Sequence, residues 1–240
     1  MTALSKNDYD PSPDLTFPLA SSIQAPGGKR VLTSPCLTAA ICATTLFLLI
    51  AFVTQGSLPL SGEADLLHWL HRFASHSGDV LALWISASVT VLSVLTLARL
   101  AWQRAWQALG FILACVGGSA LLALAAKIVF HRERPQLWEV VAHHSSYAFP
   151  SGHAVQSMAL AVGVLILMSK QPSTRVSPYL LATLFVLVIV AVGAVAVARM
   201  YLGLHYPSQI LAGWTLAIAW VSLMALLFRN APLPLKRSMA

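Results

Sequence analysis

Six long apolar stretches without a charged residue constrain this chain more than any of its other features. They lie at about residues 36–54, 80–98, 105–126, 153–169, 178–198 and 208–228. At about 1.5 Å of rise per residue, a helix of roughly 20 residues crosses about 30 Å of hydrocarbon. Backbone groups that are unpaired within their own segment cannot face lipid, so each stretch must be helical. The sequence therefore predicts an all-α polytopic membrane protein, a six-transmembrane-helix bundle.

The composition excludes the other broad classes. Hydrophobic residues make up 58% of the chain and charged residues 10%, whereas roughly 25% of the residues of a soluble domain are charged. A disordered or fibrous chain is excluded, and a soluble domain has too little interior for this much apolar surface. We assign much of the net charge of +7 to short cytoplasmic loops, expect a separate cause for the rest, and predict no nucleic-acid partner.

Loop charge predicts the orientation. Lysine and arginine are concentrated in the N-terminal tail, in the loops after the second and fourth apolar stretches and after the sixth, and the positive-inside rule makes this side cytoplasmic. These residues are Lys6, Lys29, Arg30, Arg99, Arg104, Lys170, Arg175, Arg229, Lys236 and Arg237. We therefore predict a flexible cytoplasmic tail over 1–34, a membrane domain over 35–230 and a short cytoplasmic C-terminal tail over 231–240.

Residues 63–77 are predicted to form a short amphipathic helix on the outer membrane surface. Leu66, Leu67, Leu70 and Phe73 share one face of that helix. We interpret its histidines as solvated or facing lipid headgroups, and not as ligands; they are His68, His71 and His76.

Three sequence blocks at helix ends on the outer side carry chemically capable residues, including basic residues that the positive-inside rule does not explain. In chain order they are KIVFHRERP with Lys127 and Arg134, FPSGH with Ser151, Gly152 and His153, and ARMYLGLH with Arg199 and His205. Arginine offers a planar fork and lysine a point charge for a tetrahedral oxyanion such as phosphate.

The second block also predicts an anion site at a helix N-terminus. Ser151 can cap the fourth transmembrane helix, and Gly152 lets a ligand approach its free N–H groups. Of the two histidines, one can be a nucleophile and the other a general acid. Each block alone is weak evidence, because basic residues near helix ends usually reach headgroups. Together the blocks predict a phosphate site that faces out of the cytoplasm.

The order Lys-x6-Arg-Pro, Pro-Ser-Gly-His and Arg-x5-His resembles the type 2 phosphatidic acid phosphatase superfamily over about residues 60–228. The resemblance implies that His205 attacks phosphorus and forms a phosphohistidine, while His153 protonates the leaving oxygen and then activates water. It implies no cofactor and no metal. The phosphate-binding residues that it implies are Lys127, Arg134, Ser151, Gly152 and Arg199.

One position departs from the family pattern in a way that bears on the chemistry. The family places Asp four residues after the nucleophilic His, and this chain has Gln209 there. Three hypotheses stay open: slower hydrolysis with Gln209 orienting His205, a replacement carboxylate, or a phosphate-binding protein that barely turns over. The replacement would come from Glu133, Glu139 or the segment 55–79.

The resemblance implies a hydrolase, and a site at the level of the bilayer predicts a membrane lipid phosphate or diphosphate as its partner. The short loops and six closely spaced spans favour a bacterial inner membrane, with the site on the periplasmic face. Candidate substrates are phosphatidic acid, phosphatidylglycerophosphate and a polyprenyl diphosphate. A lipid phosphotransferase and a catalytically impaired lipid-phosphate binder are alternatives, and the oligomeric state is not predicted. A zinc site among His131, His143, His144 and His153 is a weaker alternative, because the spacing matches no common zinc pattern.

Overall fold

The fold is described from a computed structural model, which covers residues 35–55, 59–138, 147–171, 177–233 and 235. Over these residues the chain is helical and has no strand. The helices are α1 (Pro35–Val53), α2 (Glu63–His71), α3 (His76–Trp102), α4 (Trp106–Phe130), α5 (Gly152–Ser169), α6 (Pro178–Tyr201) and α7 (Pro207–Leu227). All of these except α2 are long and apolar enough to cross a membrane. This confirms the predicted fold class, whereas the tail 1–34 and most of 231–240 lie outside the described residues.

Helix α7 packs against α1, α4 and α5. Small residues allow the close approach of α5: a Cβ atom on Gly213 would lie 2.9 Å from both Ala154 Cβ and the Ser151 carbonyl oxygen. The N-terminal ends of α5 and α7 are therefore adjacent. This packing brings the second and third sequence blocks together.

The core and the outer surface of the bundle are both apolar. Phe111, Ile112, Val155 and Val221 are buried between α4, α5 and α7. Many large apolar side chains point outward instead, among them Trp84, which is 71% exposed. In water such a surface would be an aggregation hazard, but it is what a lipid-facing surface requires.

The segment 63–77 is not one helix. Helix α2 ends at His71, and α3 begins at His76. The break occurs because Ser75 has an extended backbone, and its Oγ accepts a hydrogen bond of 3.1 Å from Gly78 N at the start of α3. Leu67 on α2 is buried, whereas Leu66 on the same helix is exposed. Phe73, which follows the end of α2, is exposed as well.

Candidate active site

The three sequence blocks meet at one end of the bundle. Lys127 lies in the last turn of α4, Ser151 directly precedes α5, Arg199 lies in the last turn of α6, and His205 lies just before α7. A hydrogen bond of 3.0 Å from Ser151 N to the Gln209 carbonyl oxygen joins α5 to α7. The fold therefore places residues from all three blocks around the N-terminus of α7.

His205 is almost completely buried, and its tautomer follows from its partners. The Gln209 Oε1 atom accepts a hydrogen bond of 3.1 Å from Tyr206 N and lies 3.1 Å from His205 Nδ1. Because a backbone N–H can only donate, Oε1 is an acceptor and Nδ1 carries the proton. The lone pair of Nε2 then faces Arg134 Nη1 at 3.3 Å. Nε2 is the nitrogen available to attack an electrophile.

The surroundings keep His205 neutral. Burial lowers the pKa of His205 well below its usual value, the positive charges of Arg134, Arg199 and Lys127 lower it further, and the Gln209 hydrogen bond opposes them. Near pH 7 the imidazole is therefore uncharged. A neutral imidazole has a lone pair for nucleophilic attack, and the three cations attract an anionic substrate to it. The site is therefore suited to attack on an anionic electrophile.

Two buried polar atoms at this end, Ser151 Oγ and Arg199 Nε, have no hydrogen-bond partner among the described residues. The sequence predicted that Ser151 would cap α5 with its side chain, but within that part of the chain its side chain makes no cap bond. An unsatisfied buried polar group costs about 1–3 kcal/mol. A bound oxyanion would supply the missing acceptors. A Cβ atom on Gly152 would meet no described atom within 4 Å, so the backbone of the first turn of α5 has room for a ligand.

The remaining predicted residues lie near this cluster. Arg134 Nη1 donates to the Leu204 carbonyl oxygen at 3.1 Å, and burial lowers the pKa of Arg134 below its usual value. Lys127 Nζ donates to the Tyr147 carbonyl oxygen. His153 is half-buried in the first turn of α5, directly after Gly152. The catalytic and phosphate-binding roles of these residues stay predictions.

Glu63 was only one of several acids that the sequence offered, and the structure brings it to the start of α7. Its Oε1 accepts a hydrogen bond of 2.7 Å from Ser208 N, and its Oε2 accepts one of 2.9 Å from Leu60 N. The oxygen at His205 Nδ1 belongs to Gln209 and not to a replacement carboxylate. Glu63 is 145 positions from Ser208 in the chain, so spacing gave no signal for this contact.

Arg132 joins the same end and was not predicted as a site residue. Its Nη1 donates to Ser208 Oγ at 3.4 Å, and its guanidinium carbon lies 5.9 Å from the centre of the Tyr206 ring. Burial lowers the pKa of Arg132, and the charge of Glu63 opposes this shift. Glu63 and Arg132 therefore surround the first turn of α7 with one negative and one positive group.

The turn before His205 is covered by an aromatic side chain. Gly203 has φ +67°, and a Cβ atom there would lie 2.7 Å from the Trp138 ring, so only glycine fits. Trp138 stacks on His71 with ring centres 4.0 Å apart and also contacts His68. The two α2 histidines thus contact Trp138, while His68 stays exposed and His71 is half-buried. That they face solvent or headgroups stays a prediction.

Part of the sequence predictions falls outside the described residues. Glu139, His143 and His144 belong to residues 139–146, which the structure does not describe. Among the described residues, no three His, Cys, Asp or Glu side chains are arranged to hold a metal ion. The zinc alternative, which needs His143 and His144, is not tested by this observation.

The amino-acid sequence of this chain is similar to a known protein family and to several characterised proteins. The PAP2 superfamily matches residues 107–232, just over half of the chain. A decaprenylphosphoryl-5-phosphoribose phosphatase of Mycolicibacterium smegmatis is 32% identical over 149 residues, which cover 59% of this chain and 68% of that protein.

Two further curated relatives are matched over less of their length. Phosphatidylglycerophosphatase B of Bacillus subtilis is 29% identical over 49% of this chain and 56% of its own. An undecaprenyl-diphosphatase of Sulfolobus acidocaldarius is 28% identical over 34% of this chain and 33% of its own.

A solved structure shares the fold. The crystal structure of a transmembrane PAP2 type phosphatidylglycerolphosphate phosphatase from Bacillus subtilis aligns with a TM-score of 0.68 and 18% identity. The alignment covers 84% of this chain and 99% of that one.

Proposed function

Because the chain belongs to the PAP2 superfamily, whose matched relatives are lipid phosphatases, we propose that it hydrolyses a membrane lipid phosphate or diphosphate through a phosphohistidine on His205. We place the reaction at the outer face of the membrane, the periplasmic face in a bacterium. The observation that carries the proposal is the buried imidazole of His205, whose tautomer is fixed by Gln209 and whose Nε2 faces Arg134 Nη1 at 3.3 Å. Burial and the charges of Arg134, Arg199 and Lys127 support it by lowering the pKa of this imidazole.

In the first step, the Nε2 lone pair attacks phosphorus while the bond from phosphorus to the lipid oxygen breaks. His153 gives its proton to that leaving oxygen. For a monoester the leaving group is the lipid alcohol, and for a diphosphate it is the lipid monophosphate. The product is a phosphohistidine on His205, with Nδ1–H still bonded to Gln209.

In the second step, water attacks the phosphohistidine. His153 takes one proton from this water, the P–N bond breaks, and inorganic phosphate and neutral His205 result. Lys127, Arg134 and Arg199 hold the phosphate oxygens and stabilise charge that develops on them. Ser151 Oγ and Arg199 Nε, which find no partner among the described residues, gain acceptors when phosphate binds. The scheme needs no metal ion.

Gln209 supports one alternative, a lipid-phosphate binder with little turnover. The amide holds the tautomer of His205 but supplies no negative charge to the imidazole. In a serine-protease triad, replacing the carboxylate that holds the histidine by its amide lowers turnover by about 10⁴. We favour the phosphatase, because Lys127, Arg134 and Arg199 are retained and their positive charges act on His205. A lipid phosphotransferase would use the same phosphohistidine with another acceptor.

The test is phosphate release by the purified protein in nanodiscs, with a chelator present. Phosphatidic acid, phosphatidylglycerophosphate and undecaprenyl diphosphate are the substrates, and His205→Ala is the matched variant. We expect release from at least one substrate and its loss, by at least about 10³-fold, in His205→Ala. Release that is equal in the two proteins would refute the mechanism. Binding without release from any substrate would favour the impaired binder.

A further inference from the structure

An apolar groove runs through the membrane-spanning part of the bundle between α3, α5 and α6. Its volume is about 390 Å³. Branched and small apolar side chains line it, among them Val89, Leu92, Leu160, Val164, Val192 and Val195. Nothing in the mechanism above uses this groove.

The groove begins directly below the candidate phosphate site. Its upper end includes Ser157 on α5 and Val195 on α6. Ser157 follows His153 by four residues, and Val195 precedes Arg199 by four residues. Residues four apart share a helix face and differ in depth by about 6 Å. The chain of a ligand whose phosphate lies at His153 and Arg199 therefore starts about 6 Å above the upper end of the groove and on the same faces of α5 and α6.

The groove is apolar although three hydroxyl groups lie along it. Ser88 and Thr96 each donate a hydrogen bond of 2.7 Å to a carbonyl oxygen of their own helix. Ser157 does the same with the Ala154 carbonyl oxygen at 3.2 Å. The hydroxyl protons are thus used within the helices, and what remains for a ligand is a hydrocarbon surface.

The depth of the groove indicates the length of its ligand. On α3 the groove extends from Ile85 to Thr96, and the apolar stretch of α3 begins at about Val80. At about 1.5 Å per residue, the groove lies about 7 to 24 Å below that boundary. The midplane of the hydrocarbon is only about 15 Å deep. An outer-leaflet phospholipid has chains that end near the midplane, but the groove continues beyond it.

We propose that this groove binds the hydrocarbon chain of a polyprenyl phosphate or diphosphate, and that it makes the enzyme selective for long single-chain isoprenoid lipids over diacyl lipids. The inference rests on the proposed phosphatase function. It adds the substrate class and assigns its recognition to α3, α5 and α6, away from the reacting atoms.

The test compares chain lengths at a constant headgroup and uses two matched substitutions on α6. Val188 lines the groove, whereas Val186 does not appear among its lining residues and is 58% exposed. The proteins are the parent, Val188→Phe and Val186→Phe in phosphatidylcholine nanodiscs. The substrates are farnesyl phosphate, undecaprenyl phosphate and phosphatidic acid, with phosphate release as the readout.

We expect the parent to have a kcat/KM for undecaprenyl phosphate at least about tenfold above that for farnesyl phosphate or phosphatidic acid, because more hydrocarbon is bound. Val188→Phe should lower the undecaprenyl value by about tenfold or more and leave the other two within about twofold. Val186→Phe should leave all three within about twofold.

The other outcomes separate this inference from the proposed function. Equal kcat/KM for the short and long isoprenoids overturns the inference alone, as does an equal loss on all substrates in Val188→Phe. An equal effect of Val186→Phe on undecaprenyl phosphate also overturns it. An absence of release from every substrate overturns the proposed function, and this inference with it.

Discussion

At the residue scale, the chemistry depends on the contact between Gln209 and His205. The amide oxygen fixes the imidazole tautomer at 3.1 Å, but it does not compensate positive charge that develops as Nε2 bonds to phosphorus. Asp, the residue usual in the family, has a shorter side chain. Glu is closer in shape to Gln and would put a carboxylate oxygen at the observed Oε1 position. The effect of charge can thus be separated from the effect of geometry.

We predict that Gln209→Glu speeds formation of the phosphohistidine by about tenfold or more, because a carboxylate stabilises the developing charge; the protease triad gives about 10⁴ as an upper scale. The same negative charge raises the pKa of His205. Attack requires neutral His205, so activity falls when the pH is lowered through the pKa of His205. This loss should occur at a higher pH in Gln209→Glu than in the parent. Rapid-quench measurement of phosphoenzyme formation against pH gives both quantities. Gln209→Leu is the control without an acceptor, and a Gln209→Glu protein slower than the parent at pH 8 would contradict the prediction.

Ser151 provides a second prediction, because its buried Oγ has no partner within the described part of the chain. Ser151→Ala removes an unsatisfied group, whose burial costs about 1–3 kcal/mol. We therefore expect an unchanged or higher unfolding temperature together with weaker binding of a phosphate analogue such as vanadate. Thermal unfolding followed by tryptophan fluorescence and inhibition by vanadate are the two measurements. A lower unfolding temperature with unchanged inhibition would show that the hydroxyl is structural.

Contacts between single residues were predictable from the sequence where the two residues lie close together in the chain. His205 and Gln209 are four residues apart, and their contact follows from the start of α7. The role of Glu63 could not be read in this way, because its partner Ser208 is 145 positions away. The unsatisfied Oγ of Ser151 was also missed, since serine before a helix normally caps it.

At the element scale, α2 is tied to α7 through a buried carboxylate. Glu63 is 7% exposed and accepts hydrogen bonds from the backbone N–H groups of Ser208 and Leu60. A negative group at a helix N-terminus also complements the helix dipole. Helix α2 therefore stabilises the first turn of the helix that carries Gln209.

We predict that Glu63→Ala lowers the free energy of unfolding by about 2–4 kcal/mol, because it leaves two N–H groups unpaired and removes the charge that faces Arg132. Glu63→Gln keeps an acceptor and should cost less. Thermal unfolding in detergent measures both. Asp65→Ala is the control on the same helix, since Asp65 is exposed. Equal losses in Glu63→Ala and Asp65→Ala would contradict the role of the buried carboxylate.

Element boundaries were predictable where the bilayer sets them. The six apolar stretches match α1 and α3 to α7 within a few residues, because lipid requires continuous helix. The break between α2 and α3 was not predictable from hydrophobic spacing, which runs on through 63–77. The local cap at Ser75 ends that regularity.

At the scale of the whole molecule, the fold class followed from hydropathy, but the groove did not. Its walls come from α3, α5 and α6, and small residues such as Ala161 and Ala194 look the same in a packed interface and in an open cleft. Packing between elements decides which it is. The hydropathy pattern is also symmetric with respect to the membrane, so orientation depends on loop charge alone.

Orientation determines which compartment the phosphate site serves. Helices that alternate in direction put the ends with Ser61 and His205 on one side and the turn between α3 and α4 on the other. We predict that a cysteine at Ser61 faces the periplasm and one at Gln107 faces the cytoplasm; both positions are exposed. Cys36, Cys42 and Cys115 would first be replaced by serine or alanine, with phosphate release checked.

A membrane-impermeant maleimide should label Ser61→Cys in intact bacterial spheroplasts and should label Gln107→Cys only after permeabilisation. The reason is the excess of lysine and arginine in the loops on the Gln107 side, which resist translocation across the membrane. The permeabilised sample controls for the reactivity of each thiol. The reverse labelling pattern would show that the site faces the cytoplasm. Lys127, Arg134 and Arg199 would then follow the positive-inside rule, and phosphate binding would not be needed to explain their position.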